Sequence, residues 1–411
     1  MAPLKILVCG GGISGPALAF WLARSGHHVV IVERFPALRA SGAQIDLREQ
    51  GIQVVKRMGL VETIRSKTVD EPGFALVDAQ NKAKAIIHAN KSGKGAQSFS
   101  SEFEIMRGDL VRILYDETKV AENVEYVFGK TVERFEQDEN RVLVYFSDGS
   151  SDTYDILVGA DGQGSRIRQA ILPPDTPSIY RRLGIYMAYW FIPRTEEDDN
   201  FASSYVAPGG RMIFRRSHNA TESQVYFILK DDDPATRSIP RASIEKQKEF
   251  WAQKYHDAGW QVDRFLKGMK AAEDFYCLEV LQVRIDSWSK GRVVLAGDAA
   301  HCASPFSAMG TSSALIGAYI LAGEIIRNPD NLPLAFANYD KVLRPFINEI
   351  QTLNPTLIRM GMPTSRWGVK ILYFIAWLLC ILRVPEIMMM FSSEERGGWK
   401  LPDYPELKAG R

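Results

Sequence analysis

The sequence predicts an α/β fold in which a Rossmann-like dinucleotide-binding domain is interleaved with a β-sheet domain and followed by C-terminal helices. At the N-terminus a strand, a glycine-rich turn, a helix and a second strand follow one another within about thirty residues, which is a βαβ unit. Two further apolar runs, 155–160 and 292–296, have the composition of buried parallel strands. From about 177 to 285, aromatic and alternating segments indicate an antiparallel sheet.

The composition is that of an ordinary globular protein. The chain has 411 residues, of which 46% are hydrophobic and 24% charged, and its formal net charge is +1. Because no large field of one sign is available, we expect no nucleic-acid partner. The four cysteines lack C-x-x-C or metal-ligand spacing, so we expect a reducing compartment, the cytoplasm, and no metal site. The N-terminal apolar run is too short for a secretory signal peptide.

The first turn carries the glycine pattern of a dinucleotide-binding site. Gly10, Gly12 and Gly15 follow the first strand and open the helix. The first glycine allows the tight turn, the second lets the backbone approach a pyrophosphate, and the third lets the helix pack on the strand. Glu33 ends the second strand, where an acidic side chain can bind a ribose hydroxyl pair. This motif alone does not distinguish FAD from NAD.

Two later turns carry further motifs, each at the end of a buried apolar run. Gly159-Ala160-Asp161-Gly162 follows the first of these runs and precedes Ser165, Ile167 and Arg168. Gly297-Asp298-Ala299-Ala300-His301 follows the second, with Pro305 and Gly310 beyond it. An acidic side chain at the carboxyl end of a strand, beside a helix start, is well placed to accept hydrogen bonds from sugar hydroxyls.

With these three motifs, the chain resembles the class A FAD-dependent monooxygenases, the aromatic-hydroxylase-like type, from Lys5 to about Pro345. Within the family it is most similar to the tetracycline-inactivating monooxygenases and related fungal secondary-metabolism enzymes. The resemblance implies a glutathione-reductase-type FAD domain, with FAD as cofactor and NADPH or NADH as co-substrate. The residues it implies for FAD are Gly10, Gly12, Gly15, Glu33, Arg34, Ala43, Asp46, Arg107, Asp161, Asp298, Gly310 and Thr311, and it implies Arg39 for NAD(P)H.

One stretch departs from the family pattern. The family commonly has a glycine-rich P-x-A-G-Q-G turn after the aspartate, whereas this chain has Pro305-Phe306-Ser307-Ala308-Met309-Gly310. Gly310 and the backbone of Thr311 remain available for the flavin pyrimidine. Ala308 stands where the family has glycine, and alanine permits a close backbone approach less readily.

The resemblance implies a reaction in which NAD(P)H reduces the flavin and O2 adds to give a C4a-hydroperoxyflavin. That species hydroxylates a small phenol or enol, aromatic or polycyclic; Baeyer–Villiger insertion uses the same species and stays open. No side chain is required as a nucleophile, so no catalytic residue is predicted. The alternatives are a flavin-dependent halogenase, dehydrogenase or oxidative cyclase on the same fold, and a flavin-binding scaffold without activity. We expect the substrate pocket to be lined by Tyr186, Tyr189, Arg211, Phe214, Phe306 and Met309.

The FAD-binding domain is predicted over 1–73, 101–176 and 286–345, the substrate domain over 74–100 and 177–285, and a C-terminal helical segment over 346–411. In that segment, 371–382 is almost entirely apolar but shorter than the ~20 residues that span a bilayer. We expect a buried core helix there that covers the pocket mouth, with membrane contact as the alternative. The expected partners are a small-molecule substrate and O2, with the chain a monomer or weak dimer.

Overall fold

The computed structural model of the protein describes residues 3–69, 71–89, 103–384 and 398–407, so the predicted domains include residues outside the described ones, namely 1–2, 70, 90–102, 385–397 and 408–411. The strands are β1 (Lys5–Cys9), β2 (His28–Glu33), β3 (Gln44–Asp46), β4 (Gly73–Val77), β5 (Ala83–His88), β6 (Glu104–Met106), β7 (Val124–Phe128), β8 (Val132–Gln137), β9 (Val142–Phe146), β10 (Ser151–Tyr154), β11 (Ile156–Gly159), β12 (Tyr180–Pro193), β13 (Ala202–Ala207), β14 (Arg211–Ser217), β15 (Glu222–Lys230), β16 (Phe275–Val283), β17 (Ser289–Lys290) and β18 (Val293–Leu295). The helices are α1 (Ser14–Arg24), α2 (Gln50–Met58), α3 (Val61–Arg65), α4 (Arg107–Thr118), α5 (Arg166–Ile171), α6 (Ile244–Tyr255), α7 (Val262–Ala271), α8 (Asp298–His301), α9 (Gly310–Arg327), α10 (Leu332–Ile350), α11 (Pro355–Met360) and α12 (Arg366–Ile381).

A six-stranded sheet forms the centre of the first domain. Its strand order is β17-β18-β11-β1-β2-β7, and all of these strands except β17 run parallel. β11 and β18 are buried along their whole length, as expected for parallel strands covered on both faces. Because parallel strands point in one direction, the turns that follow β1, β2, β11 and β18 meet at the same edge of the sheet.

Helices α1, α4, α9 and α10 complete the core of this domain. α1 packs against both α4 and α9, and α10 packs against α9. α9 is apolar on nearly all sides and is buried continuously over Ser312–Ile325. The described C-terminal residues 398–407 return to the same helix, where Tyr404 packs on Gly323 and donates a hydrogen bond of 2.7 Å to Glu324.

A seven-stranded sheet, which we call the substrate sheet, forms the second domain. Its order is β16-β12-β15-β14-β13-β4-β5, with every neighbouring pair antiparallel except β13 and β4. One face packs against α6 and α7, where Trp251 and Phe265 meet Trp190 and Phe227. The other face turns toward the first domain. The substrate sheet thus has a structural face and a face directed at the predicted cofactor site.

The expectation of a buried core helix at 371–382 is wrong. α12 packs at the β5 end of the substrate sheet, against β5 and β13, and none of its residues is buried. Only one side of the helix packs, with Leu372, Tyr373 and Ala376 contacting the cluster around Leu76 and Val206. The segment has apolar residues on all sides of the helix, which predicted a position in the core. In the structure, the substrate sheet covers only one side of this helix. Within the described residues, no helix combines the length and apolarity needed to cross a bilayer.

The hydroxyl of Tyr373 fastens α12 to the sheet. It donates to the carbonyl of Val77 at 2.6 Å and accepts from the backbone N–H of Val206 at 3.1 Å. We predict that Tyr373→Phe loosens α12 by about 1–3 kcal/mol, because backbone groups of two buried residues, Val77 and Val206, lose their partner. Hydrogen exchange of the α12 amides should speed up accordingly. Trp367→Phe, on the exposed side of the same helix, is the control, and equal exchange in the two variants would contradict the prediction.

Candidate functional site

The three glycine-containing turns meet at one edge of the six-stranded sheet. β1, β11 and β18 are neighbours in register, so their last residues lie side by side. A side chain on Gly10, which has φ +123°, would overlap the carbonyl of Ala160. A Cβ on Gly297 would lie 2.9 Å from the Cβ of Ser14 at the start of α1. The first turn therefore touches the other two, and only glycine permits these approaches.

The first turn leaves the N-terminus of α1 open. α1 begins at Ser14 without a side-chain cap, so its first N–H groups can bind a ligand. Gly12 is half-buried, and apart from its chain neighbours a Cβ there would meet only the Arg107 guanidinium, at 3.4 Å. An uncapped helix start, its positive dipole end and an approachable glycine fit the pyrophosphate of a dinucleotide.

Glu33 lies directly beside this turn. One oxygen accepts a hydrogen bond from the Gly11 N–H at 2.9 Å, and the other accepts one from the Phe35 N–H at 3.1 Å. An ionised carboxylate offers about four acceptor sites, so sites remain for the two hydroxyls of a ribose. The exposed Arg34 lies next to it with its guanidinium over the Phe35 ring, 4.9 Å from the centroid.

Asp298 stands at the third turn as the first residue of α8, and it is exposed. The carboxylate is reachable by solvent but is surrounded closely enough by protein atoms that desolvation raises its pKa above the usual aspartate value. The buried Arg168 donates to the Ala299 carbonyl at 2.9 Å and to the Gln163 carbonyl at 2.6 Å, which ties the second turn to the third. A carboxylate held at a helix start and left accessible fits the sugar hydroxyls of a flavin ribitol.

The carboxylate of Asp161 stabilises the second turn. Asp161 is exposed, and one of its oxygens accepts from the backbone N–H of Arg166 at 2.7 Å, at the start of α5. Arg168, two residues further, is completely buried. In this motif Arg168 makes the contacts that join the second turn to the third, and Asp161 stabilises the loop before α5.

The N-terminus of α9 is also uncapped by any side chain. A Cβ on Gly310 would meet nothing within 4 Å, so the backbone of Gly310 and Thr311 faces open space. Ser312 fixes this helix start, since its hydroxyl accepts from the Arg48 N–H at 2.9 Å and bonds the Arg48 carbonyl at 3.2 Å. The first N–H groups of α9 fit the polar edge of a flavin pyrimidine.

The segment 42–46 is held from both domains. The Gln224 side chain donates to the Gly42 carbonyl at 3.1 Å and accepts from the Gln44 N–H at 3.2 Å. From the other side, the Arg107 N–H donates to the Ala43 carbonyl at 3.0 Å. The segment that the resemblance places along the isoalloxazine is therefore fixed by the substrate sheet as well as by α4.

A buried ion cluster lies behind this segment. Arg216 of β14 bonds the carboxylates of Glu71 and Glu104, while Asp46 pairs with Arg48 at 2.9 Å. Burial raises the pKa of Glu104 well above its usual value, and the neighbouring acidic groups Asp46 and Glu71 add to the rise. Arg216 belongs to the substrate sheet, whereas Glu104 belongs to the first domain, so the ion pairs cross between the two domains. Separating them would leave an uncompensated buried charge and cost about 3–5 kcal/mol, and the cluster therefore holds the domains together.

An aromatic row crosses the face of the substrate sheet that turns toward the first domain. Tyr276, Tyr189, Tyr226 and Phe214 stand in register on the neighbouring strands β16, β12, β15 and β14. Successive ring centroids are 5.1, 5.6 and 5.8 Å apart. Ala43 and Phe306 of the first domain pack on the same side, and the Arg39 guanidinium lies 5.2 Å from the Tyr276 ring. The structure thus brings together the predicted pocket residues Tyr189, Phe214 and Phe306.

Three of the predicted pocket residues lie elsewhere, and their assignment is corrected. Tyr186 packs among the residues under α6 and α7, and Arg211 bonds Asp257 and the Pro208 carbonyl. Side chains alternate along a strand, so Tyr186 faces away from Tyr189, three residues on. Met309 is fully buried in the core of the first domain.

The sequence analysis missed Gln224, Tyr226 and Arg216. Gln224 and Tyr226 are buried polar residues whose positions two apart on β15 place them on one face. That spacing signals a shared face, but the segment they bind lies about 180 residues earlier in the chain.

Residues 3–328 match the family described as "FAD binding domain". "FAD-dependent monooxygenase asL6" of Sarocladium schorii is 38% identical over 98% of this chain and 99% of its own length. "Flavin-dependent monooxygenase eupH" of a Phoma species is 40% identical over 92% of each chain. The chain belongs to the class A FAD-dependent monooxygenases.

The monooxygenase family also supplies solved structures with this fold. The structure of tetracycline destructase Tet(51) is 31% identical with a TM-score of 0.78, and the match covers 98% of this chain and 100% of that one. The predicted family, the α/β fold, the FAD cofactor and the assignment as a flavoprotein oxidoreductase are confirmed.

The open position of Gly12 generates a test of the pyrophosphate site. Gly12→Ala should leave the fold intact, because its Cβ meets only the end of a flexible side chain, yet lower FAD affinity about tenfold or more by standing between backbone and phosphate. FAD titration and thermal unfolding of the apoprotein measure the two effects. Gly15→Ala should lower stability as well, because its Cβ would overlap the Gly10 carbonyl. Wild-type FAD affinity in Gly12→Ala would refute the placement.

The raised pKa of Asp298 generates a second test. Asp298→Ala should weaken FAD binding about ten- to hundredfold, since a hydrogen bond to a charged group contributes about 1.5–3 kcal/mol. As pH falls, the carboxylate is protonated earlier than an ordinary aspartate, so wild-type FAD retention should decline at a higher pH than usual. Asp298→Asn should lack that decline, while the exposed Asp175→Asn serves as control. A pH profile identical in wild type and Asp298→Asn would show that this carboxylate does not hold the flavin.

Proposed function

We propose that this monooxygenase uses NADH or NADPH and O2 to hydroxylate a small aromatic or polycyclic phenol or enol. The observation that carries the proposal is the aromatic row of Tyr276, Tyr189, Tyr226 and Phe214, which offers four rings to a flat molecule lying between the sheet and the flavin site. A relative of 31% identity, the tetracycline destructase, is named for such a ring system.

Bound FAD supplies the redox chemistry, namely hydride acceptance from NAD(P)H and activation of O2. The protein positions the substrate. The rings of the aromatic row would align a planar substrate, and Ala43 and Phe306 would bound it on the cofactor side. Apolar residues on both sides also keep water from the reacting atoms, which limits the loss of activated oxygen.

The tyrosine hydroxyls would orient the substrate. Burial raises the pKa of Tyr189, and the same cause raises that of Tyr226, so both hydroxyls stay protonated at physiological pH. The Tyr226 hydroxyl is engaged with Gln224. Tyr189 is therefore the better candidate to bond a substrate oxygen.

Arg39 is proposed as the contact for NAD(P)H. Its guanidinium lies over the ring of Phe35, 4.7 Å from the centroid, and near the Tyr276 end of the aromatic row. A half-buried cation at the end of the aromatic row suits the phosphates of a nicotinamide dinucleotide.

The test is product labelling with the FAD-loaded enzyme. NADH and NADPH oxidation is followed with a panel of polycyclic phenols under ¹⁸O₂, and one ¹⁸O atom per product is expected. Product formed without oxygen, or only with halide present, would favour the dehydrogenase, cyclase or halogenase alternatives.

A variant pair links this reaction to the aromatic row. Phe214→Ala should raise the KM for the phenol about tenfold or more and leave FAD affinity unchanged, because a stacking ring is lost. Tyr186→Phe, on the opposite face of the same sheet, is the matched control with wild-type KM. An equal response of the two variants would contradict the proposed substrate face.

A further inference from the structure

The outer side of α12 exposes a continuous apolar surface. The exposed side chains run along the whole helix and just beyond it, from Trp367 at 73% exposure to Leu382 at 56%. They are Trp367, Ile371, Phe374, Ile375, Trp377, Leu378, Leu379, Ile381 and Leu382, which we call the α12 patch. Nine side chains of this size at roughly half exposure give an exposed apolar area on the order of 1,000 Å². The largest apolar patch of a typical soluble monomer covers only ~300–600 Å².

The helix cannot hide this patch by rotating. Its inner side is held by the packing of Val369, Leu372 and Ala376 on the substrate sheet and by the two hydrogen bonds of Tyr373. Turning the patch inward would break these contacts and expose the inner side instead. The orientation of α12 is therefore set by the sheet, and the patch points outward in the folded protein.

The charged residues of α12 itself are of one sign. α12, Arg366–Ile381, contains Arg366 and Lys370 but neither aspartate nor glutamate. Lys370 lies 4.8 Å from the centroid of the Trp367 ring, with both residues exposed at the N-terminal end of the helix. Tryptophan beside basic residues is the composition of a helix at a membrane interface, where the cations reach lipid phosphates and the rings enter the acyl boundary.

We propose that α12 docks the protein on the surface of an anionic lipid bilayer, with the α12 patch embedded and the helix parallel to the membrane. The helix has 16 residues, too few to span the hydrocarbon core, so it lies in the interface. The basic residues supply attraction to acidic headgroups, and the apolar patch supplies the burial energy.

A second copy of the chain fits the patch less well. A twofold interface would place the same surface against itself. Because α12 has no acidic residue, Arg366 and Lys370 of one helix would meet no carboxylate on the other helix. A bilayer with acidic lipids offers the complementary charge instead.

The docking also places the aromatic row near the lipid. Met212 belongs both to the cluster under α12 and to the one that includes Tyr189 and Phe214. A single side chain, that of Met212, thus connects the inner side of α12 with the aromatic row.

The test is flotation of the FAD-loaded protein with phosphatidylcholine vesicles that contain or lack phosphatidylserine. Wild type should float with the acidic vesicles and at least tenfold less with the neutral ones. The triple variant Trp367→Ser, Phe374→Ser and Ile381→Ser should lose at least tenfold in binding while keeping wild-type FAD affinity.

The matched control carries three serine substitutions at exposed apolar residues elsewhere, Val120→Ser, Leu334→Ser and Leu357→Ser, and should float like wild type. Three results would overturn the proposal. The protein does not float with either vesicle; it floats equally with both; or it forms a dimer that the α12 triple variant dissociates without any vesicle binding.

Discussion

The parallel register of β1, β11 and β18 is the constraint on which the cofactor site depends. Adjacent parallel strands must end at one edge, so three turns that are far apart in sequence share one region of space. Gly10 against Ala160 and Gly297 against Ser14 bring the turns into contact, and Arg168 ties the last two. We propose that the open starts of α1 and α9 and the carboxylates of Glu33 and Asp298 bind one extended ligand at that edge.

The substrate sheet completes the site from the opposite direction. Its face toward the first domain carries the aromatic row, and two polar side chains on that face, Gln224 and Arg216, bind the segment 42–46 and Glu104 of the FAD domain. The same contacts therefore fix the segment 42–46 and the aromatic row relative to each other. A displacement of the sheet would move both the segment proposed to lie along the flavin and the residues proposed to contact the substrate.

Local patterns predicted the cofactor half of the site and much less of the substrate half. The glycine turns, Glu33 and Asp298 could be predicted because each motif is contiguous and its strand context is visible in the sequence. Gln224 and Arg216 could not, since their partners lie more than 100 residues away. Tyr186 and Arg211 were misassigned because an aromatic or basic residue on a strand does not reveal which face it occupies. For α12, apolarity predicted burial, but only packing decides which side is covered.

The central claim is that one FAD molecule is held along its whole length, and titration of the apoprotein with FAD, FMN and ADP tests it most directly. Because the first turn and Glu33 would hold the ADP half while Asp298 and α9 would hold the flavin half, FAD should bind one per chain and at least a hundredfold more tightly than either fragment. FMN binding as tightly as FAD, or ADP failing to compete at any concentration, would contradict the account.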